Sequence, residues 1–128
     1  VFEVDGDKVN WYYKSTDYAS EHQMTIYDGA LYEQFAGQLV ANVWAADTKW
    51  TIEARFDGGK AQKMESFTAY DPAAQVMYAD REKLDHPYVY PTPADHFYRV
   101  AIPAGARVAE VTATDRFGRV YTQTITLK

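Results

Sequence analysis

The segment Trp50-Thr51-Ile52-Glu53-Ala54-Arg55-Phe56 decides the fold class, because its apolar and polar side chains alternate strictly. Its four apolar residues would all lie on one face, and this period of two is typical of a β-strand buried on one side. Asp57-Gly58-Gly59 follows at once and favours a tight turn into the next apolar run. The segment therefore predicts one strand of an antiparallel sheet that covers a hydrophobic core.

The same kind of pattern recurs at short spacing on both sides of this strand. Predicted strands cover 2–4, 8–13, 23–27, 39–45, 50–56, 61–70, 96–102, 107–115 and 119–127. Eight or nine short strands separated by turn residues predict an all-β fold, an antiparallel β-sandwich of the immunoglobulin-like kind. The inward positions of these strands predict a core that contains Trp11, Val43, Ile52, Phe56, Val100, Val111 and Ile125.

The longest connection between predicted strands is Asp71–Asp95. Asp71-Pro72 is typical of a helix N-cap followed by proline at the first helical position, and it predicts one short helix that runs to about Leu84. Three prolines then favour extended, irregular chain. Long connections in compact domains often bind partners. We therefore regard Tyr88 and Tyr90 as candidate interface or ligand-binding residues.

Composition excludes several classes of function. The 128 residues suit a single domain over 1–128, and 47% hydrophobic with 24% charged residues is ordinary for a globular chain. A net charge of −5, from 13 basic and 18 acidic side chains, argues against binding to nucleic acid. Cysteine is absent, which excludes disulfides and thiolate chemistry. No apolar stretch approaches the ~18 residues of a transmembrane helix.

Catalytic and metal-binding patterns are missing from the sequence. The three histidines, His22, His86 and His96, are not spaced as metal ligands, and no G-x-S-x-G elbow or phosphate-binding glycine loop occurs. Asp95-His96 is the adjacent acid–base pair worth naming, but neighbouring side chains of a strand point to opposite faces. We predict no catalytic residue, metal or cofactor in this chain, and keep His96 as a candidate binding residue.

Aromatic residues are the remaining functional signal, because Trp, Tyr and Phe make up 16% of the chain. Trp44 and Trp50 lie six residues apart, and exposed aromatic rings can stack on the apolar faces of sugars. A carbohydrate-binding module is therefore one hypothesis, in which these tryptophans and nearby tyrosines form the platform. Large aromatic residues more often fill a core or an interface, which favours a structural role for the same side chains.

Four segments, taken in order, carry a family resemblance: residues 1–14, 40–50, 91–97 and 114–118 (VFEVDGDKVNWYYK, VANVWAADTKW, PTPADHF and TDRFG). Together they resemble the C-terminal accessory domain of Bacteroides-type calcineurin-like metallophosphoesterases, over essentially the whole chain. The resemblance implies a parent with a small N-terminal β domain, a central two-metal phosphoesterase domain and this domain. It also implies that the parent is exported, to the periplasm or the cell surface.

The resemblance carries no active site onto this chain. The catalytic part of that family holds two divalent metals with D-x-H, G-D-x-x, G-N-H and G-H-x-H elements, and this sequence lacks that set. The chain starts with Val1 instead of Met, next to a predicted strand, so we expect a piece of a larger protein. The predicted function is a non-catalytic module whose partner is the phosphoesterase domain in cis, with carbohydrate as the alternative partner.

Overall fold

Ten β-strands and one short α-helix make up the fold in a computed structural model, which describes residues 1–128. The strands are β1 Phe2–Asp5, β2 Lys8–Trp11, β3 Met24–Asp28, β4 Gln38–Val43, β5 Thr51–Phe56, β6 Gln62–Lys63, β7 Glu65–Ala69, β8 Ala94–Ala101, β9 Val108–Thr114 and β10 Val120–Thr126. The helix α1 is Pro72–Met77, and Glu33–Phe35 and Arg81–Lys83 form 3-10 turns. No helix is long and apolar enough to cross a membrane.

Two four-stranded antiparallel sheets form the β-sandwich that the sequence predicts. The first sheet has the order β10-β9-β5-β6 and the second has the order β3-β4-β8-β7, while β1 and β2 pair only with each other as a separate hairpin. The immunoglobulin-like description stays a prediction. The prediction of a single strand over 61–70 is wrong, because this segment divides into β6 and β7, which belong to different sheets. Met64 lies at this crossing and is buried to 2% exposure, so it anchors the change of sheet in the core.

The main core lies between the two sheets. Four predicted core residues are buried there: Val43, Ile52, Phe56 and Val111. Val100 and Ile125 are partly buried and pack against the same cluster. The prediction for Trp11 is wrong, since this residue is 37% exposed and belongs to the separate β1–β2 hairpin. Alternation identified a strand with one apolar face correctly, but the strand is not part of the sandwich.

A second, smaller core covers the outer face of the β3-β4-β8-β7 sheet. It is formed by Tyr27, Phe35, Val40 and Phe97. Phe35 belongs to the 3-10 turn that lies over this face, which explains why β4 is apolar on both faces. The sheet is therefore covered on both sides, and its outer side also receives the start of α1.

The predicted helix is shorter than expected. It ends at Met77 instead of reaching about Leu84, and a 3-10 turn follows at Arg81–Lys83. Val76 and Met77 are 77% and 67% exposed, so little tertiary packing supports a longer helix. Short helices without such packing are marginal in water, which accounts for the early end.

One end of the sandwich, here called the loop end, gathers most of the candidate residues. β4 ends there at Val43 and β5 begins there at Thr51, after the loop 44–50. Antiparallel pairing then places the start of β8 and the end of β7 at the same end. The long connection between β7 and β8 thus leaves the sandwich and returns to it at the loop end.

Candidate functional site

The connection from β7 to β8 presents two exposed tyrosines. Tyr88 and Tyr90 are 74% and 68% exposed. The guanidinium of Arg81 lies 3.7 Å from the ring centroid of Tyr90, and its Nη1 donates a hydrogen bond of 2.5 Å to the carbonyl oxygen of Val89. The Tyr88 hydroxyl lies 3.3 Å from Nδ1 of His86. Arg81 therefore holds the loop in one shape while the tyrosine rings remain open to a partner.

A polar network ties the start of this connection to the sheet. Asp71 Oδ1 accepts a hydrogen bond from the Tyr27 hydroxyl at 2.8 Å, and Asp71 Oδ2 accepts from Asn42 Nδ2 at 2.5 Å. The same Oδ1 accepts from the backbone N–H groups of Ala73 and Ala74, which is the N-cap that the sequence predicts. One carboxylate thus caps the helix and fixes it on the outer face of the sheet.

His96 joins this network through Asn42. Nδ1 of His96 lies 2.7 Å from Oδ1 of Asn42, whose Nδ2 faces the Asp71 carboxylate. The opposite orientation of the amide would set an oxygen against that carboxylate, so His96 donates from Nδ1. The structure therefore brings His96 together with the polar network and not into a pair with its neighbour Asp95.

Burial and nearby carboxylates keep three tyrosines protonated. Burial, followed by the hydrogen bond to Asp71, raises the pKa of Tyr27 far above its ordinary value. Burial also raises the pKa of Tyr98, with a contribution from Asp47, and the pKa of Tyr121, with a contribution from Asp115. All three phenols therefore stay neutral to a higher pH than a free tyrosine does.

The two candidate tryptophans lie at the loop end, but they contact different partners. Trp44 is partly buried and packs near Tyr13, Tyr18 and His22, at centroid distances of 5.8, 5.6 and 5.1 Å. Trp50 is partly buried, packs against the main core and stacks on Tyr121 at 6.0 Å. Of the two, only Trp44 belongs to a cluster with exposed rings, because Tyr13 and Tyr18 are 42% and 49% exposed.

No three His, Asp or Glu side chains come together so that they could hold a metal ion. The residues of this chain therefore do not fit the two-metal centre that the resemblance implies for its parent, and no step of metal-assisted hydrolysis can be assigned to them.

Sequence reasoning missed Tyr27 and Asn42, and it recognised Asp71 only as a helix cap. The partners of Asp71 lie 44 and 29 residues away along the chain, and no local pattern marks such distant contacts. An isolated polar residue, Asn42, in an otherwise apolar strand was the one available signal, because buried polar groups need partners.

Residues 1–121 match the family described as the C terminal of calcineurin-like phosphoesterase, and the chain belongs to that family. This match confirms the family that the four sequence segments indicated. The Bacteroides-type qualifier stays a prediction. No curated protein and no solved structure matches the chain. A C-terminal domain of a phosphoesterase implies a catalytic domain in the same polypeptide.

Proposed function

We propose that this chain is a non-catalytic module that packs against the phosphoesterase domain of its parent through the Asp71–Asp95 connection. The observation that carries the proposal is the exposure of Tyr88 and Tyr90 on a loop held by Arg81. Aromatic residues are enriched in protein interfaces and often dominate their binding energy. A partner covering these rings would bury apolar area that the chain leaves in water.

The shape of the loop supports an interface more than it supports a flexible linker. Arg81 uses one nitrogen for the carbonyl of Val89 and lies over the ring of Tyr90. A loop ordered before binding loses less conformational entropy when its partner arrives. The start of the connection is fixed as well, because Asp71 is bound to Tyr27 and Asn42.

The further properties of the parent are proposals that rest on the family resemblance. We propose that its catalytic domain holds two divalent metals, that this module borders the mouth of the active site, and that the protein is exported to the periplasm or the cell surface. The Bacteroides-type resemblance of the four segments supports the proposed location.

Replacing Tyr88 and Tyr90 by Ser in the full-length protein should weaken the packing of the two domains by roughly 1–4 kcal/mol, the range of an interface hot spot. The measurement is urea unfolding of the full-length protein, in which this domain should unfold at a lower urea concentration than in the wild type. In the 128-residue chain alone the same pair should cost no more than about 1 kcal/mol, mainly through the lost contact with Arg81.

Two results would contradict this interface. Equal destabilisation of the full-length protein and of the chain alone would mean that the tyrosines serve the domain itself. No change in either protein would mean that the connection is a solvated loop and that the interface lies elsewhere.

The chain alone should not hydrolyse phosphoesters, because its side chains form no cluster that could hold the metal ions of a phosphoesterase. The measurement is turnover of an aryl phosphate by the purified 128-residue chain with added Mn²⁺ or Zn²⁺. Metal-dependent turnover that follows the domain through successive purification steps would disprove the non-catalytic assignment. Activity that separates from the domain would identify a contaminating phosphatase.

Carbohydrate binding is the second candidate function, and the cluster around Trp44 favours it. Tyr13 and Tyr18 expose ring surface next to this tryptophan, and Tyr18 stacks on His22 at 4.4 Å. The platform is smaller than the sequence hypothesis required, because Trp50 faces the core and stacks on Tyr121 instead of lying open. Quenching of tryptophan fluorescence by a soluble oligosaccharide, abolished by Tyr18→Ala, would favour this function over the interface.

A further inference from the structure

The N-terminal hairpin exposes an apolar face that the sandwich does not cover. The pairing of β1 with β2 sets Phe2 opposite Trp11 and Val4 opposite Val9, so all four side chains lie on one face. Phe2, Val4 and Val9 are 76%, 69% and 47% exposed. The opposite face carries the polar pairs Glu3 with Asn10 and Asp5 with Lys8. This amphipathic pattern is that of a strand pair with a core on one side, but of the four apolar residues only Trp11 packs against the sandwich.

The hairpin is attached to the sandwich at its Trp11 end. The Trp11 ring meets Phe117 edge to face at 4.7 Å and lies 5.0 Å from the guanidinium of Arg116. Arg119 donates a hydrogen bond of 2.7 Å to the carbonyl oxygen of Trp11 and lies 3.7 Å from Glu3. These contacts hold one end of the hairpin on the β9–β10 turn. Val4 and Val9 lie toward the other end, next to the turn at Gly6.

A free two-stranded ribbon is marginal in water, and it normally needs a further surface to pack on its apolar face. Charge makes an anionic membrane a poor candidate, since Glu3, Asp5 and Asp7 outnumber Lys8 on the hairpin. Family membership points to another occupant. The catalytic domain of a family named for its C-terminal part lies on the N-terminal side of residues 1–121, so the hairpin is the element of this domain nearest to it along the polypeptide.

We propose that the Phe2, Val4 and Val9 face of this hairpin docks on the catalytic phosphoesterase domain of the same polypeptide. The inference rests on the packing partner given in the proposed function, but it concerns a different surface from the Asp71–Asp95 connection. The hairpin is covalently part of this domain, and its apolar face packs on the catalytic domain.

The test uses the absence of cysteine from this chain. Val4→Cys places a thiol on the apolar face, and Asp5→Cys places one on the polar face of the same strand. Both positions are exposed in the 128-residue chain, so a difference between them in the full-length protein reports on a covering partner. Each variant of the full-length protein reacts with a maleimide in native buffer and again in guanidinium chloride. Full-length protein without the introduced cysteine provides the background. Tyr88→Cys, measured in the same way, reports on the connection.

We expect native labelling of Val4→Cys to be at least tenfold slower than that of Asp5→Cys, with equal rates after unfolding. Equal native rates would overturn the inference. Slow labelling that disappears on dilution of the protein would also overturn it, because it would show a second copy as the occupant. Protection of Tyr88→Cys without protection of Val4→Cys would leave the proposed function standing and refute the hairpin surface. Protection of Val4→Cys without protection of Tyr88→Cys would support the hairpin surface and refute the interface at the Asp71–Asp95 connection.

Discussion

Replacing Phe97 by Ala should lower the free energy of unfolding of the chain by about 3–5 kcal/mol. Phe97 is completely buried in the second core, on the outer face of the β3-β4-β8-β7 sheet. Its ring lies 6.1 Å from that of Phe67 and 6.4 Å from that of Phe35. Truncation removes these ring contacts and leaves a cavity between a sheet and a 3-10 turn. Phe35 is the residue that loses support, so the turn over the sheet should loosen as well.

Urea unfolding of the 128-residue chain measures this loss as a lower transition midpoint at an unchanged slope. Phe2→Ala is the matched control, because it removes the same atoms from a ring that is 76% exposed. We expect the control to change the free energy of unfolding by about 0.5 kcal/mol or less, as surface substitutions do. A Phe97→Ala variant as stable as Phe2→Ala would show that the outer face contributes little to the fold.

Strands and the main core could be predicted because their signal is local. The alternation over Trp50–Phe56 requires only that neighbouring side chains point to opposite faces, and β5 follows it with Ile52, Ala54 and Phe56 all buried. The turn at Asp57-Gly58 was equally local, since both residues have positive φ, at 50° and 72°. A turn of this kind needs residues that tolerate the left-handed region, and Asp and Gly do so.

Alternation could not show which sheet a strand joins. In the sequence, Trp11 and Ile52 both occupy apolar positions of an alternating strand pattern. In the structure, however, β2 pairs only with β1 and stays outside the sandwich. The run 61–70 likewise looks continuous, although β6 and β7 belong to different sheets. Both errors arise because strand pairing depends on distant partners, while the side-chain period depends only on the strand itself.

The candidate site shows the same division between local and distant information. The exposed tyrosines could be selected because a proline-rich connection is visible in the sequence. The contact of Arg81 with Val89 and Tyr90, which shapes the loop, could not be read from composition. The link from His96 to Asn42 spans 54 residues of sequence and depends on the pairing of β4 with β8.

Asp71→Ala should be the next most damaging substitution, with a loss of about 2–4 kcal/mol in the free energy of unfolding. Loss of a helix N-cap costs roughly 0.5–2 kcal/mol. Leaving buried hydrogen-bonding groups without a partner costs roughly 1–3 kcal/mol more. The groups affected are the Tyr27 hydroxyl and the Asn42 amide, both in residues that are at most 5% exposed. Urea unfolding of the 128-residue chain provides the measurement.

Two further variants separate the cap from the network. Asp80→Ala is the matched control, because Asp80 also precedes a helical turn but makes no capping bond with its side chain. Its exposed ion pair with Lys83 should contribute about 1 kcal/mol or less.

Asp71→Asn keeps an oxygen for the backbone N–H groups of Ala73 and Ala74, but it sets an amide group against the Asn42 amide. Its loss of stability should therefore fall between that of Asp80→Ala and that of Asp71→Ala. An Asp71→Asn variant as stable as the wild type would mean that the bond from Asn42 contributes nothing to stability, because the oxygen that accepts from Ala73, Ala74 and the Tyr27 hydroxyl is kept. A loss equal to that of Asp71→Ala would mean that the bond to Asn42, and through it the position of His96, is what anchors the connection to the sheet.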